Sequence, residues 1–441
     1  MATIAPFRGI LFNQAKAGAI GDLVCPPYDI ISHDLQQALY RRSPYNAVRL
    51  EYGLESPADT DRDNRYTRAA AQLDEWLASG VLVRSDRPAI YVYEMEFESG
   101  GKLRRLRGFI CMVRIEDYES GIVKPHETTL SGPKTDRLNL LRACRASFSQ
   151  IYSLVTDPSG GIGTILGNVS QRPEFEVRTD DSVVHRVWTI ADQSAIEGIL
   201  RLVAGAPVFI ADGHHRYDTA LNYRNERRTA QGSFTGSEGF NFVPMFLARI
   251  EDPALVVLPA HRVLFNLGDF HPKRFEEDLN KFFNIERIDF TKRSEHDDLR
   301  TVLETMEHRA DHAHVFGMRV KGEHSYYLLS LRSEADMDGI VPDRSPAYRR
   351  LDVSILHHLI IDRLLGIGME THKLGLNIEY IKDAAEADRR VHDGEAQIAF
   401  FMNPTKVSEV RDVAATGERM PQKATYFYPK LLTGMVMSRT D

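Results

Sequence analysis

PVFIADGHHRYDTALNYRNERR, residues 207–228, decides how this chain reads. Pro207 to Ala211 is a short apolar, partly β-branched run, the pattern of a buried strand. It stops at Asp212-Gly213. His214 to Arg228 then has helical composition. The start of a helix carries unpaired N–H groups and the positive end of its dipole. A glycine there lets a ligand approach the backbone closely. Arg216, one turn in, projects a planar fork toward the same point. Together these make a phosphate site, and His214 and His215 add donors or a general acid/base. The plain alternative is an Asp212 N-cap, a Gly213 turn and solvated side chains. A metal held by Asp212 with His214 or His215 lacks a supporting pair such as H-E-x-x-H.

Working outward, Ala89 to Phe97 and Arg107 to Val113 read as a hairpin around Ser99-Gly100-Gly101. Arg65 to Ser79, Lys134 to Ala146 and Ser194 to Ala204 read as helices, and Gln150 to Val155 as a strand. Cys25-Pro26-Pro27-Tyr28-Asp29 is an extended loop, because two prolines cannot lie inside a helix. Further on, Asp352 to Leu365 reads as a helix, Ala396 to Met402 as a strand, and Ala424 to Tyr428 as an aromatic strand. The expected organisation is an N-terminal α/β region at 1–120 and a core at 121–262 carrying the box. An α/β insertion at 263–345 and a C-terminal α/β region at 346–441 follow.

The chain has 441 residues, 43% hydrophobic and 27% charged, which excludes disordered and fibrous classes. Lys plus Arg number 55 and Asp plus Glu 62, so the net charge is 55 − 62 = −7. No global footprint for nucleic acid follows from that balance. Cys25, Cys111 and Cys144 show no C-x-x-C spacing, which argues against a disulfide framework. No stretch approaches a membrane span and no secretory h-region is present, so a cytoplasmic protein without membrane partners is expected. Neither a P-loop nor a G-x-G-x-x-G fingerprint occurs.

A second cluster surrounds a Gly-Pro turn: Lys124-Pro125-His126-Glu127, then Gly132-Pro133-Lys134 and Asp136-Arg137. Phosphoryl transfer needs a group that takes the acceptor's proton and cations that neutralise phosphate. Glu127 offers the first; Lys134 and Arg137 offer the second. The bland reading is a charged surface loop. His261 and Arg262 stand at a strand end, and Tyr28 and Asp29 sit on a rigid loop. The stretch around Lys423 reads best as a packed aromatic strand, from which Lys423 could still reach a phosphate.

The Asp212-Gly213-His214-His215-Arg216 stretch, followed by the small Ala220, resembles the phosphate-binding box of the ParB/sulfiredoxin-like fold. It is most similar to that of the ATP- or ADP-dependent free-serine kinases, which carry an Asp-Gly-His-X-Arg box. More of the chain resembles a bacterial and archaeal family known as domain of unknown function 1015. The matching pieces are Cys25 to Asp29, Pro125 to Glu127, Gly132 to Lys134 with Asp136-Arg137, Ala211 to Arg216, Leu258 to Arg262, and Met420 to Leu432. The resemblance implies an α+β protein, with a ParB/sulfiredoxin-like core and additional mixed α/β elaborations.

It further implies a small-molecule kinase that uses ATP or ADP with Mg²⁺ on a hydroxyl acceptor such as free L-serine. Glu127, His214 and Asp212 would be catalytic. Gly213, His215, Arg216, Lys134 and Arg137 would hold the nucleotide's phosphates. His126, Tyr28, Asp29, His261, Arg262 and Lys423 would line the substrate. No resident metal is expected, and a homo-oligomer is allowed. Two other classes compete. One is a non-catalytic nucleotide- or nucleic-acid-binding regulator, opposed by the net charge and the lack of a helix-turn-helix. The other is a metal-dependent hydrolase built on His126, Glu127, His214 and His215.

Overall fold

A computed structural model describes residues 2–129, 131–169, 172–290, 295–368 and 376–440. The fold is mixed α/β. It divides into two compact units. The first comprises Met1–Pro125, Thr129–Val256 and Pro429–Asp441; the second comprises His126–Thr128 and Val257–Tyr428.

The first unit is built on a sheet with nine strands among the described residues. In chain order they are β1 (Ile4–Ala5), β2 (Ile90–Ser99), β3 (Lys102–Arg114), β4 (Val123–Lys124), β5 (Ile151–Val155), β6 (Phe175–Arg178), β7 (Val184–Ile190), β8 (Val208–Asp212) and β9 (Phe242–Arg249). They pair in the order β4-β8-β5-β9-β3-β2-β7-β6, with β1 on β3. Strands from 1–120 and from 121–262 therefore share one sheet. β2 and β3 form the expected hairpin, pairing Ser99 with Lys102. Its two-residue loop is Gly100-Gly101, both at positive φ (61° and 67°), as a mirror-image turn requires. Gly108 on β3 has a steric cause: a Cβ there would lie 2.5 Å from Leu247 O and the Phe246 ring.

One face of this sheet is apolar at period two. Ile90 and Val92 on β2, Phe109, Cys111 and Val113 on β3, and Met245 and Leu247 on β9 all enter the core. The helix Gln193–Val203 covers them with Ile196, Ile199 and Val203, one stripe of a 3.6-residue period. Tyr217 and Ala220 of the helix His214–Gln231 join the same core, which fixes that helix against the sheet.

The second unit holds a six-stranded sheet made of β10 (His261–Leu264), β11 (Phe283–Asp289), β12 (Val315–Val320), β13 (Ser325–Leu331), β14 (Ile378–Ile381) and β15 (Ile398–Phe401). The order is β11-β13-β12-β15-β10-β14, antiparallel at every pairing. Segments 263–345 and 346–441 thus contribute to one sheet. The expected helix at 352–365 is α-helical only over Asp352–Ser354; Ile355–Leu364 is a π-helix. Ile355, Leu356, His357, Leu359, Ile360 and Ile361 are buried, a broad apolar surface, while Arg363 is exposed. No single apolar stripe holds it to a 3.6-residue period. Among the described residues, no helix is long and apolar enough to cross a membrane.

Candidate phosphate site at the end of a sheet strand

β8 carries the box residue Asp212 at its last position. Its register against β5 shifts just before that point: Ile210 pairs with Ser153, but Asp212 pairs with Tyr152. Ala211 is the extra residue of a bulge, a device that re-aims the next side chain. Gly213 follows at φ 93° and caps the helix His214–Gln231. A Cβ at Gly213 would lie 2.9 Å from Nε and Nη2 of Arg216. The backbone angle favours glycine, and a Cβ here would also displace the guanidinium folded over it.

Asp212 is held from two sides. Lys430 Nζ donates to Oδ1 at 2.9 Å, and Arg216 Nη2 donates to Oδ2 at 3.2 Å. Arg216 Nη1 donates to the Gln150 carbonyl on the opposite side. Burial alone would raise the Asp212 carboxyl. The charges of Lys430 and Arg216 outweigh it and hold the group well below the usual carboxylate range. His214 is buried and His215 half-buried at the start of the helix. One carboxylate between two cations leaves one positive charge at a helix N-terminus.

The other expected phosphate ligands in this unit are committed to carboxylates. Lys134 Nζ lies 3.6 Å from Asp218 Oδ2. Arg137 is buried; its Nη1 donates to the Glu51 carbonyl at 2.7 Å and to Glu51 Oε1 at 3.3 Å, and its Nε donates to Asp136 Oδ2 at 2.6 Å. Its guanidinium carbon stands 4.2 Å from the Tyr28 ring centroid, a cation–π contact. Burial, only partly opposed by Arg137, pushes the Tyr28 hydroxyl up. Asp29 is exposed.

The remaining candidates belong to the second unit. His126 is buried, with Nε2 2.9 Å from Thr425 Oγ1. Glu127 Oε1 accepts the Lys423 N–H at 3.3 Å. Lys423 is exposed and sits at φ 54°, an uncommon angle for a residue with a Cβ. Its carbonyl accepts from Arg262 Nη2 at 3.2 Å, so the Lys423 residue links Glu127 to Arg262. Arg262 is fully buried; its Nε donates to His357 Nε2 at 3.2 Å, and its guanidinium lies 5.2 Å from the Tyr380 ring centroid. Burial pulls Arg262 down to about 10. His261 Nδ1 accepts from the Met402 N–H at 3.1 Å, and burial followed by the Arg262 charge pulls this imidazole down to about 4.

Sequence reasoning missed Lys430 as a site residue. It favoured Lys423, seven positions earlier in the same aromatic stretch. It also passed over Glu51 and Thr219, which line a cavity with Arg216. The signal for Thr219 was available, since it stands three residues after Arg216 on one helix face. Glu51 ends a four-residue helix and carries no local signal. Among the described residues, no group of three or more His, Cys, Asp or Glu could hold a metal ion.

A family model described as "Protein of unknown function (DUF1015)" matches residues 4–354. No curated protein matches the sequence significantly. Among solved structures, a conserved hypothetical protein from Pyrococcus furiosus is similar at 12% identity and TM-score 0.34, over 72% of this chain and 92% of its own. A free serine kinase in complex with AMP is similar at 13% identity and TM-score 0.34, over 69% of this chain and 83% of its own. SbnI with C-terminal truncation, from Staphylococcus aureus, is similar at 11% identity and TM-score 0.33, over 74% and 85%. Likenesses at these TM-scores do not carry the assignment of the site.

Proposed function

The chain belongs to the DUF1015 family, and we propose that it is a nucleotide-dependent phosphotransferase acting on a small hydroxyl acceptor, with free L-serine the first acceptor to test. The observation that carries this reading is Asp212 fixed between Lys430 and Arg216 where a bulged strand passes through a glycine into a helix. Phosphoryl transfer is mostly positioning and charge stabilisation. Fixed cations and helix N–H groups supply both without reorganisation.

In this reading Asp212 positions Lys430 and Arg216, since both of its oxygens already accept their hydrogen bonds. Gly213 and the first helix amides cradle the phosphates, with His214 and His215 as further donors. ATP or ADP is the donor. Mg²⁺ comes with the nucleotide on its phosphate oxygens. Glu127 is proposed as the proton acceptor on the strength of the family's resemblance to the free-serine kinases, and a ParB/sulfiredoxin-like core is proposed on the same ground.

The test is an assay of AMP or ADP formation with ATP and ADP as donors and a panel of hydroxyl acceptors. Phosphate on an acceptor is the expected result. Failure with every acceptor, or release of inorganic phosphate alone, would remove the proposal.

A further inference from the structure

Two uncommon backbone features of the second unit meet at one side chain, Arg262. The first is the π-helix Ile355–Leu364, a conformation found mostly at functional sites. Its His357 accepts from Arg262 Nε at 3.2 Å and stacks on the Tyr380 ring with 21° between the planes. The second is Lys423, held at φ 54° against the crowding of its own Cβ. Its carbonyl accepts from Arg262 Nη2 at 3.2 Å, while Nη1 donates to the Ala260 carbonyl.

Arg262 is 1% exposed, and among the described residues no carboxylate pairs with it. A buried guanidinium without a counter-charge is costly. Here a carboxylate is reached through a single residue. Lys423 gives its N–H to Glu127 Oε1 at 3.3 Å and its carbonyl to Arg262. The Lys423 side chain is exposed, so its packing does not impose the left-handed angle. Two hydrogen bonds to ionisable groups, one on each side of its Cα, do. A strained residue persists only where its surroundings over-determine it, and such residues gather at working sites.

We infer that Arg262 is a positioning residue: through the backbone of Lys423 it fixes the carboxylate of Glu127. The inference rests on the phosphotransferase reading only in making Glu127 the proton acceptor. In this role Lys423 acts through its backbone, not its amine. Holding the acceptor in place matters because a misplacement of about 1 Å costs on the order of a hundredfold in rate.

The experiment uses the full chain and two readouts. The first is a cycle of thermal unfolding midpoints with Glu127→Ala, Arg262→Lys and the double variant. Arg262→Lys keeps a cation but loses the planar fork that spans Ala260, His357 and Lys423. The double variant is expected to lose clearly less than the sum of the two, because opening one end of the clamp frees the other. Additive losses would overturn the inference. If Arg262→Lys does not fold, Lys423→Val takes its place in the cycle. It opens the clamp from an exposed position, since a β-branched residue resists positive φ.

The second readout is phosphate transfer. Arg262→Lys and Lys423→Val are expected to lower turnover roughly tenfold to a hundredfold with nucleotide affinity kept. Lys423→Gly adopts the angle without strain and should turn over at least roughly tenfold faster than Lys423→Val. Both lack the amine, so the difference reads the backbone alone. Equal turnover in these two variants would overturn the inference. If the wild type transfers phosphate to no acceptor, the phosphotransferase reading falls and the unfolding cycle alone decides the clamp. If the wild type is active, Glu127→Gln is impaired and Lys423→Val is not, the clamp falls and that reading stands.

Discussion

Lys430 Nζ lies 2.9 Å from Asp212 Oδ1 although the two residues are 218 positions apart. This contact joins the C-terminal segment to the Asp212-Gly213 junction of the first unit. Lys430→Met removes the cation on Asp212 Oδ1 and keeps Arg216 on Oδ2. The expected loss of stability is about 1–3 kcal/mol, the scale of a hydrogen bond to a charged group, read by urea unfolding. The same ion pair sets the acid limb of the stability curve. A carboxyl held low in the fold contributes stability that is complete above about pH 4 and is lost as acid protonates it. Lys430→Met has less of this to lose, so its stability should fall more gently below about pH 4. An identical acid limb in both proteins would contradict the role given to Lys430.

Gly213→Ala tests the turn. The new Cβ would meet the Arg216 guanidinium at 2.9 Å, in a backbone conformation that disfavours it. A destabilisation of about 1–3 kcal/mol is expected, together with weaker nucleotide binding, because Arg216 must move. Thermal unfolding and calorimetry on the one variant check both.

Two buried imidazoles give a pH dependence of opposite origin to that of Asp212. Burial pulls His185 and His261 each to about 4, whereas an unfolded histidine titrates near 6.5. Between those values the unfolded chain binds protons that the fold does not, so stability rises with pH across that window and is complete above about pH 6.5. Each histidine adds a slope of up to about 1.4 kcal/mol per pH unit. His261→Gln should flatten the slope by its share in unfolding measured across the window. An unchanged slope would show that His261 is charged in the fold.

Glu127→Gln tests the proposed proton acceptor. Nucleotide affinity should be kept and turnover should drop by roughly 10²–10⁴-fold, the contribution of a positioned base. Steady-state kinetics with the acceptor found in the panel separates this from loss of binding. Full activity in the variant would remove Glu127 from the mechanism.

What the sequence made legible was local. β8, Gly213 and the helix that follows stand where residues 207–228 place them, because an apolar run, a glycine and a helical period each act over a few residues. The β2–β3 hairpin is legible for the same reason. What stayed hidden depends on long-range pairing. Lys423 and Lys430 look alike in an aromatic stretch; only the folded chain shows that Lys430 meets Asp212 while Lys423 turns its N–H to Glu127. Glu51 finds Arg137 across 86 positions. The bulge at Ala211 is invisible in the residues, since it is defined by register against β5.

The most direct test of the central claim, that the junction at Asp212-Gly213-His214 holds the phosphates of a nucleotide, is calorimetric titration of ATP and of ADP into the wild-type chain and into Arg216→Ala. Binding to the wild type, weakened in the variant by about 1.5–3 kcal/mol, is the predicted result. Equal affinity in the two proteins, or no binding to the wild type, would contradict it.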